Sequence, residues 1–73
     1  MLKCNIRHLM IDNEIENVFE LMKITGLSRE TVNKLFKIKD IETIKFESIM
    51  RVCNALHCKL SDLIEYIPDD IDN

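Results

Sequence analysis

The densest group of side chains that could do chemistry lies in the stretch TGLSRETVNKLFKIK, residues 25–39. It holds one arginine and three lysines against a single glutamate. Cations of this kind bind phosphate groups, so the stretch suits a polyanionic partner. The whole chain has the opposite sign, since its 73 residues carry a net charge of −3. Local and overall charge therefore point to different partners.

The charge is distributed unevenly along the chain. Residues 1–22 carry −2, residues 23–45 carry +3 and residues 46–73 carry −4. Phosphate binding depends on local cations that displace counterions, so a basic segment can bind nucleic acid even in an acidic protein. The acidic remainder weakens long-range steering. An ordinary solvated helix face would show the same lysines, so charge alone leaves both interpretations open.

The cysteines and histidines are a second set of side chains that could bind a metal or react. They are Cys4, His8, Cys53, His57 and Cys58. Their spacing contains no C-x-x-C and matches none of the usual zinc patterns, so we expect no metal. Three cysteines are a poor disulfide framework and suit free thiols packed as small hydrophobes. The sequence also lacks a glycine-rich phosphate loop and a nucleophile paired with a base. We therefore expect no enzyme activity and no cofactor.

Composition favours a small soluble all-α domain. Apolar residues make up 47% of the chain, with only one glycine and one proline, which suits short helices with tight connections. No apolar run approaches the roughly 20 residues that span a bilayer, and the N-terminus lacks a signal peptide. We expect residues 1–73 to form one cytoplasmic domain with an acidic frayed end at 68–73, and no membrane or small-molecule partner.

Apolar spacing and capping signals predict five short helices, over residues 5–13, 17–24, 28–37, 45–56 and 60–66. The second begins with a capping-box pattern in which Asn17 is followed three residues later by Glu20. Gly26 suits the left-handed conformation that ends a helix. Ser28 is a good cap for the third helix.

The third predicted helix has one apolar and one charged face. Val32, Leu35 and Phe36 fall on a single stripe, and at about 100° per residue Glu30 and Lys34 point away from it. The two lysines of this helix therefore lie on its outward side.

Two segments together resemble the helix-turn-helix domain of the phage repressor and Cro family of regulators. They are ELMKITGLSRETVNKL, residues 20–35, and FESIMRVCNALHCKLSDLI, residues 46–64, and the resemblance extends over residues 5–67. It implies a lambda-repressor-like fold and a DNA-binding regulator, commonly of phage or mobile-element origin. In such proteins the second helix crosses the DNA backbone and the third enters the major groove.

The resemblance implies two sets of DNA contacts. Base reading falls to the third helix, at Arg29, Glu30, Thr31, Asn33 and Lys34. Contacts to the phosphate backbone fall to Asn17, Ser28, Lys37 and Lys39. Some of these residues have ordinary structural roles as well, since Ser28 caps a helix and Glu30 stabilises a helix N-terminus.

The chain departs from the family pattern at three places. Val18 stands where the family often has a glutamine that contacts the backbone. His57 stands where the family usually has glycine, so a left-handed histidine is expected at a cost of about 1 kcal/mol. Lys37-Ile38 replaces a frequent Asn-Gly after the third helix.

The expected function is that of a sequence-specific transcriptional repressor bound to double-stranded DNA. One recognition helix reads few base pairs, so a homodimer on a palindrome is expected. Its candidate face contains Leu63, Tyr66, Ile67 and Ile71. The acidic chain and the missing glutamine leave two alternatives, a protein-interaction module and the antitoxin of a toxin–antitoxin pair.

Overall fold

A computed structural model describes residues 1–69 of the chain, and Ile71 lies outside the described residues. Five α-helices and a two-stranded sheet make up the described part. In chain order the elements are β1 Leu2–Cys4, α1 Ile6–Asp12, α2 Val18–Thr25, α3 Arg29–Lys37, a 3₁₀ helix Ile41–Thr43, α4 Phe46–Leu56, α5 Leu60–Leu63 and β2 Ile64–Tyr66. The predicted small helical domain is confirmed, and the first four helices begin and end within one or two residues of their predicted bounds.

Local capping explains where the central helices begin. Asn17 Oδ1 accepts a hydrogen bond from the Glu20 amide at 2.9 Å, and Ser28 Oγ accepts one from the Thr31 amide at 3.3 Å. Each bond satisfies a backbone donor that the first helical turn leaves unpaired. Between these helices Gly26 has a φ of +73°, the left-handed conformation expected of it. The two caps and the glycine turn are confirmed.

The core is formed by apolar side chains from every helix and from β1. The fully buried members are Ile6, Leu21, Val32, Leu35, Val52 and Leu63. Val32 and Leu35 are the inward stripe predicted for α3, and Phe36 packs against the core while partly exposed. The amphipathic orientation of α3 is therefore as predicted, with its charged side turned to solvent.

The prediction of a helix over residues 60–66 is wrong in its second half. Helix α5 ends at Leu63, and residues 64–66 form β2, which pairs antiparallel with β1. Leu2 lies opposite Tyr66 and Cys4 lies opposite Ile64. The apolar spacing of residues 60, 63 and 64 fits one helical turn followed by a strand equally well. The strand is decided by its partner β1, which lies at the N-terminal end of the chain.

The connection after α3 contains two residues in the left-handed conformation, Ile38 with φ 54° and Asp40 with φ 55°. The segment between α3 and α4 also contains the 3₁₀ helix, in which Ile41 is buried in the core. Left-handed backbone costs a non-glycine residue about 1–2 kcal/mol. Ile38 therefore adopts the glycine-type conformation of the family's usual Asn-Gly, with a strained backbone.

None of the helices within residues 1–69 is both long and apolar enough to span a membrane.

Candidate nucleic-acid interface

The turn between α2 and α3 is held by hydrogen bonds of Thr25. Its hydroxyl donates to the Leu21 carbonyl at 2.7 Å and accepts from the Leu27 amide at 3.3 Å, and the residue is buried. A Cβ built on Gly26 would meet its nearest neighbour, Arg51 Nη1, only at 3.8 Å. Glycine is therefore required at this turn for its positive φ and not for lack of space. The turn fixes the angle between the two helices.

The outward face of α3 and the following turn form one open groove of about 420 Å³. The residues that line it are Arg29, Glu30, Asn33, Lys34, Lys37, Lys39 and Asp40. Four of the predicted base-reading residues and both predicted phosphate-binding lysines therefore lie together on one surface. Its charged side chains are four cations and two carboxylates, so this surface is positive in an acidic chain.

Lys34 is tied to the turn beyond α3. Its ammonium donates to Thr43 Oγ1 at 2.8 Å, and that hydroxyl donates to the Asp40 carbonyl at 2.7 Å. Lysine has three N–H donors, so two remain for another acceptor such as a base edge or a phosphate. The contact holds Lys34 over the groove and joins α3 to the 3₁₀ helix.

Thr31, Ser28 and Asn17 lie outside the groove lining. Ser28 Oγ donates to Thr31 Oγ1 at 3.1 Å, and Thr31 is half-buried. The Ser28 hydroxyl must release Thr31 before it can donate to a phosphate. Asn17 uses Oδ1 for its cap, so the side-chain amide nitrogen is the group that could donate to the backbone of DNA.

Arg29 lies against an aromatic ring of the preceding helix. Its Cζ is 5.1 Å from the ring centroid of Phe19, which is 62% exposed. Within residues 1–69 the one ion pair joins the Met1 amino group to Asp69, so Arg29 and its neighbour Glu30 are not paired. Sequence reasoning did not single out Phe19, because its spacing is that of an ordinary apolar residue of α2.

Arg7 is a second residue that the sequence did not indicate. Its Nε and Nη2 donate to the Phe36 carbonyl at 3.3 and 3.1 Å, and its Cζ lies 4.7 Å from the Phe36 ring centroid. Phe36 belongs to the last turn of α3, where carbonyls lack partners within the helix and a cation interacts favourably with the helix dipole. Arg7 thus joins α1 to the C-terminal end of α3.

The structure revises the set of residues predicted for the dimer face. Leu63 is fully buried in the core, so its assignment to a surface was wrong: it packs inside its own monomer. Tyr66 is 62% exposed and Ile67 is half-buried, and Ile71 lies outside residues 1–69. Two exposed apolar side chains, Phe46 and Leu60, line a groove with Tyr66, and the exposed Met50 lines a second groove with Leu60.

The cysteines lie apart from the groove. Cys4 is buried, Cys53 and Cys58 are half-buried, and all three are free thiols. Burial, and then the neighbouring Cys53, raises the pKa of the Cys58 thiol to about 11. Burial likewise raises the pKa of Cys4. Within residues 1–69 no three His, Cys, Asp or Glu side chains come together as metal ligands.

Comparison with known proteins agrees with the geometry of α2, the turn and α3. A family model described as a Cro/C1-type HTH DNA-binding domain matches residues 5–69. A search among curated proteins finds no match. The matched range includes all five helices and the whole groove. The chain therefore belongs to the family of Cro/C1-type helix-turn-helix DNA-binding domains.

Proposed function

We propose that the chain is a sequence-specific transcriptional repressor that acts as one domain in the cytoplasm, by occupying an operator. The observation that supports this most is the cationic groove along α3 in a chain whose net charge is −3. Such a local cluster supplies the phosphate and base contacts that whole-chain charge would not. The mechanism is competition for DNA and involves no catalysis and no cofactor.

Base reading is assigned to the outward residues of α3. In this motif the recognition helix presents its N-terminal residues to base edges in the major groove. Arg29 and Lys34 suit the O6 and N7 acceptors of guanine, and Glu30 can accept from the N4 amine of cytosine. Thr31 and Asn33 flank them, with Asn33 in the groove and Thr31 partly covered.

Backbone contacts are assigned to both ends of this surface. Lys37 and Lys39 are exposed beyond the middle of α3, and Asn17 and Ser28 stand at the starts of α2 and α3. Contacts of this kind set the position of the protein on the duplex without reading sequence. Val18 offers no polar group at the place of the family's usual glutamine, so Asn17 is the remaining donor at the start of α2.

We further propose that the regulator binds as a two-fold homodimer, with half-sites about 34 Å apart. One α3 reads too few base pairs for useful specificity, and a closed two-fold pairing doubles the site. The surface proposed for the second copy is the apolar patch of Phe46, Met50, Leu60 and Tyr66. These side chains are 45–72% exposed. Phe46, Leu60 and Tyr66 share one groove of about 300 Å³, next to the one that Met50 and Leu60 line.

Selection from a random DNA pool tests the proposed function directly. We expect one palindromic sequence to be enriched, and Arg29→Ala with Lys34→Ala to weaken its binding about a hundredfold or more, since each good base contact contributes about 1–3 kcal/mol. The matched control removes the same charge elsewhere, with Lys3→Ala and Lys59→Ala. Equal binding by the groove and control variants would refute the assignment of α3.

A protein partner is the second candidate, either for an interaction module or for an antitoxin that binds its toxin. The four exposed apolar side chains of the patch favour it, because large exposed apolar patches mark interaction sites. Salt dependence separates the two functions. Binding to DNA weakens steeply between 50 and 200 mM salt as counterions are released. No affinity for any DNA at low salt would favour the protein partner.

A further inference from the structure

An exposed phenylalanine lies beside the base-reading end of α3. Phe19 is the second residue of α2, and its side chain is 62% exposed. Since most of the ring remains in water, burial of apolar surface explains little of its position. The Arg29 guanidinium lies over this ring, with its Cζ 5.1 Å from the ring centroid. This lies within the range of a cation–π interaction.

The contact constrains a side chain that is otherwise free to move. Arg29 is exposed and forms no ion pair within residues 1–69. A long side chain of this kind samples many rotamers, and ordering it on binding weakens affinity. The Phe19 ring belongs to α2, whose N-terminus is capped, so the cation–π contact favours one position of the Arg29 guanidinium. Arginine has five N–H donors, so the contact with one ring leaves donors for a base edge.

We propose that Phe19 is a positioning residue that orders Arg29 for reading a guanine, an inference that rests on the proposed insertion of α3 into the major groove. The planar fork of arginine matches the O6 and N7 acceptors of guanine only in a restricted orientation. Phe19 therefore sets discrimination at a single base pair. It contributes nothing to the phosphate contacts, so it leaves the salt dependence of binding unchanged.

The test uses the full chain and the operator selected from a random DNA pool. Dissociation constants are measured for that operator and its single-base variants at one salt concentration. Arg29→Ala identifies the base pair that Arg29 reads, because discrimination is lost there. Phe19→Leu then removes the ring and keeps an apolar side chain, whereas Phe19→Tyr keeps the ring. Circular dichroism establishes that each variant is folded.

We expect Phe19→Leu to reduce discrimination at that base pair about two- to fivefold, the range of a cation–π contact at an exposed site. Phe19→Tyr should retain it. In the Arg29→Ala background, Phe19→Leu should have no further effect, since the two side chains act as one unit. The slope of affinity against salt should stay at its wild-type value in every Phe19 variant.

Two results would overturn this inference and leave the proposed function standing. Discrimination by Phe19→Leu equal to wild type would show that the ring does not order Arg29. An equal effect of Phe19→Leu with and without Arg29 would show that the ring contacts a base directly, for example a thymine methyl. If the wild type selects no sequence, the proposed function fails, and if Arg29→Ala loses no discrimination, the base-reading role of Arg29 fails. The inference falls in either case.

Discussion

Replacing Arg7 with methionine tests how helix α3 is held in place. The substitution keeps the apolar stem of the side chain and removes the guanidinium. It deletes the two N–H groups that donate to the Phe36 carbonyl at 3.1 and 3.3 Å, and the cation 4.7 Å from the Phe36 ring. The carbonyl is near solvent and can bond water instead, so no buried polar group is left unpaired. We therefore expect a loss of stability without misfolding.

The expected size of the loss follows from these contacts. A hydrogen bond to a charged group contributes about 1.5–3 kcal/mol, and the exposure of Arg7 places this one at the lower end. The cation–π contact adds about 0.5 kcal/mol. A total of about 2 kcal/mol is a large share of the roughly 4–11 kcal/mol expected for a domain of this length. The melting temperature should fall by about 8–16 °C.

Urea denaturation followed by circular dichroism measures the change in the free energy of unfolding. Lys3→Met is the matched control, because it removes an exposed cation that lies in β1, outside both α1 and α3. Arg7 does not line the α3 groove, so affinity for the selected DNA at low temperature should stay within about twofold of wild type. A free energy of unfolding equal to that of Lys3→Met would refute the anchoring role. A lower affinity with a shallower salt slope would show that Arg7 contacts phosphate.

Three further predictions concern other parts of the chain. His57→Gly should raise the free energy of unfolding by about 0.5–1 kcal/mol in urea titrations, because His57 is exposed with a φ of 54° and glycine is unstrained there; a lower midpoint would contradict this. The pKa of Cys58 is about 11, and the thiolate is the reactive form of a cysteine. Alkylation of Cys58 by iodoacetamide at pH 8, measured by mass spectrometry, should therefore be about a hundredfold slower in the folded chain than in the urea-unfolded chain. Its rate in the folded chain should rise about tenfold per pH unit up to pH 10. Met50→Asp with Leu60→Asp should convert a dimer into a monomer in sedimentation, while Ser61→Asp should not, and a dimer that persists would exclude the apolar patch.

The central helices were predictable because their signals are local. The cap of Asn17 acts over three residues, as does that of Ser28, and the left-handed turn depends on Gly26 alone. The β-strands were not predictable in this way. Their pairing joins Leu2 to Tyr66 across nearly the whole chain. A strand of three residues has too few positions to show an alternating pattern, so only the tertiary fold reveals it.

The site was predictable in its composition and less so in its contacts. Helical spacing correctly predicted that the Lys34 side chain points outward, because this direction depends only on the angle between successive residues of a helix. It could not show that Lys34 reaches Thr43, or that Thr31 is partly covered. Periodicity gives the direction of a side chain from the helix axis and carries no information about which loop packs beside it.

The two ends of α3 are held by different interactions, local at the N-terminal end and long-range at the C-terminal end. Mutations at the two ends should therefore have different effects. At the N-terminal end the Ser28 cap and the Phe19–Arg29 contact hold the residues that would read bases. At the C-terminal end the long-range bonds from Arg7 to Phe36 and from Lys34 to Thr43 hold the helix against α1 and the strained turn. Substitutions at Phe19 should therefore reduce discrimination at one base pair and lower the stability by only about 0.5 kcal/mol, the size of an exposed cation–π contact. Substitutions at Arg7 should change stability at constant preference, and a reversal of these two outcomes would show that the ends are coupled through the helix.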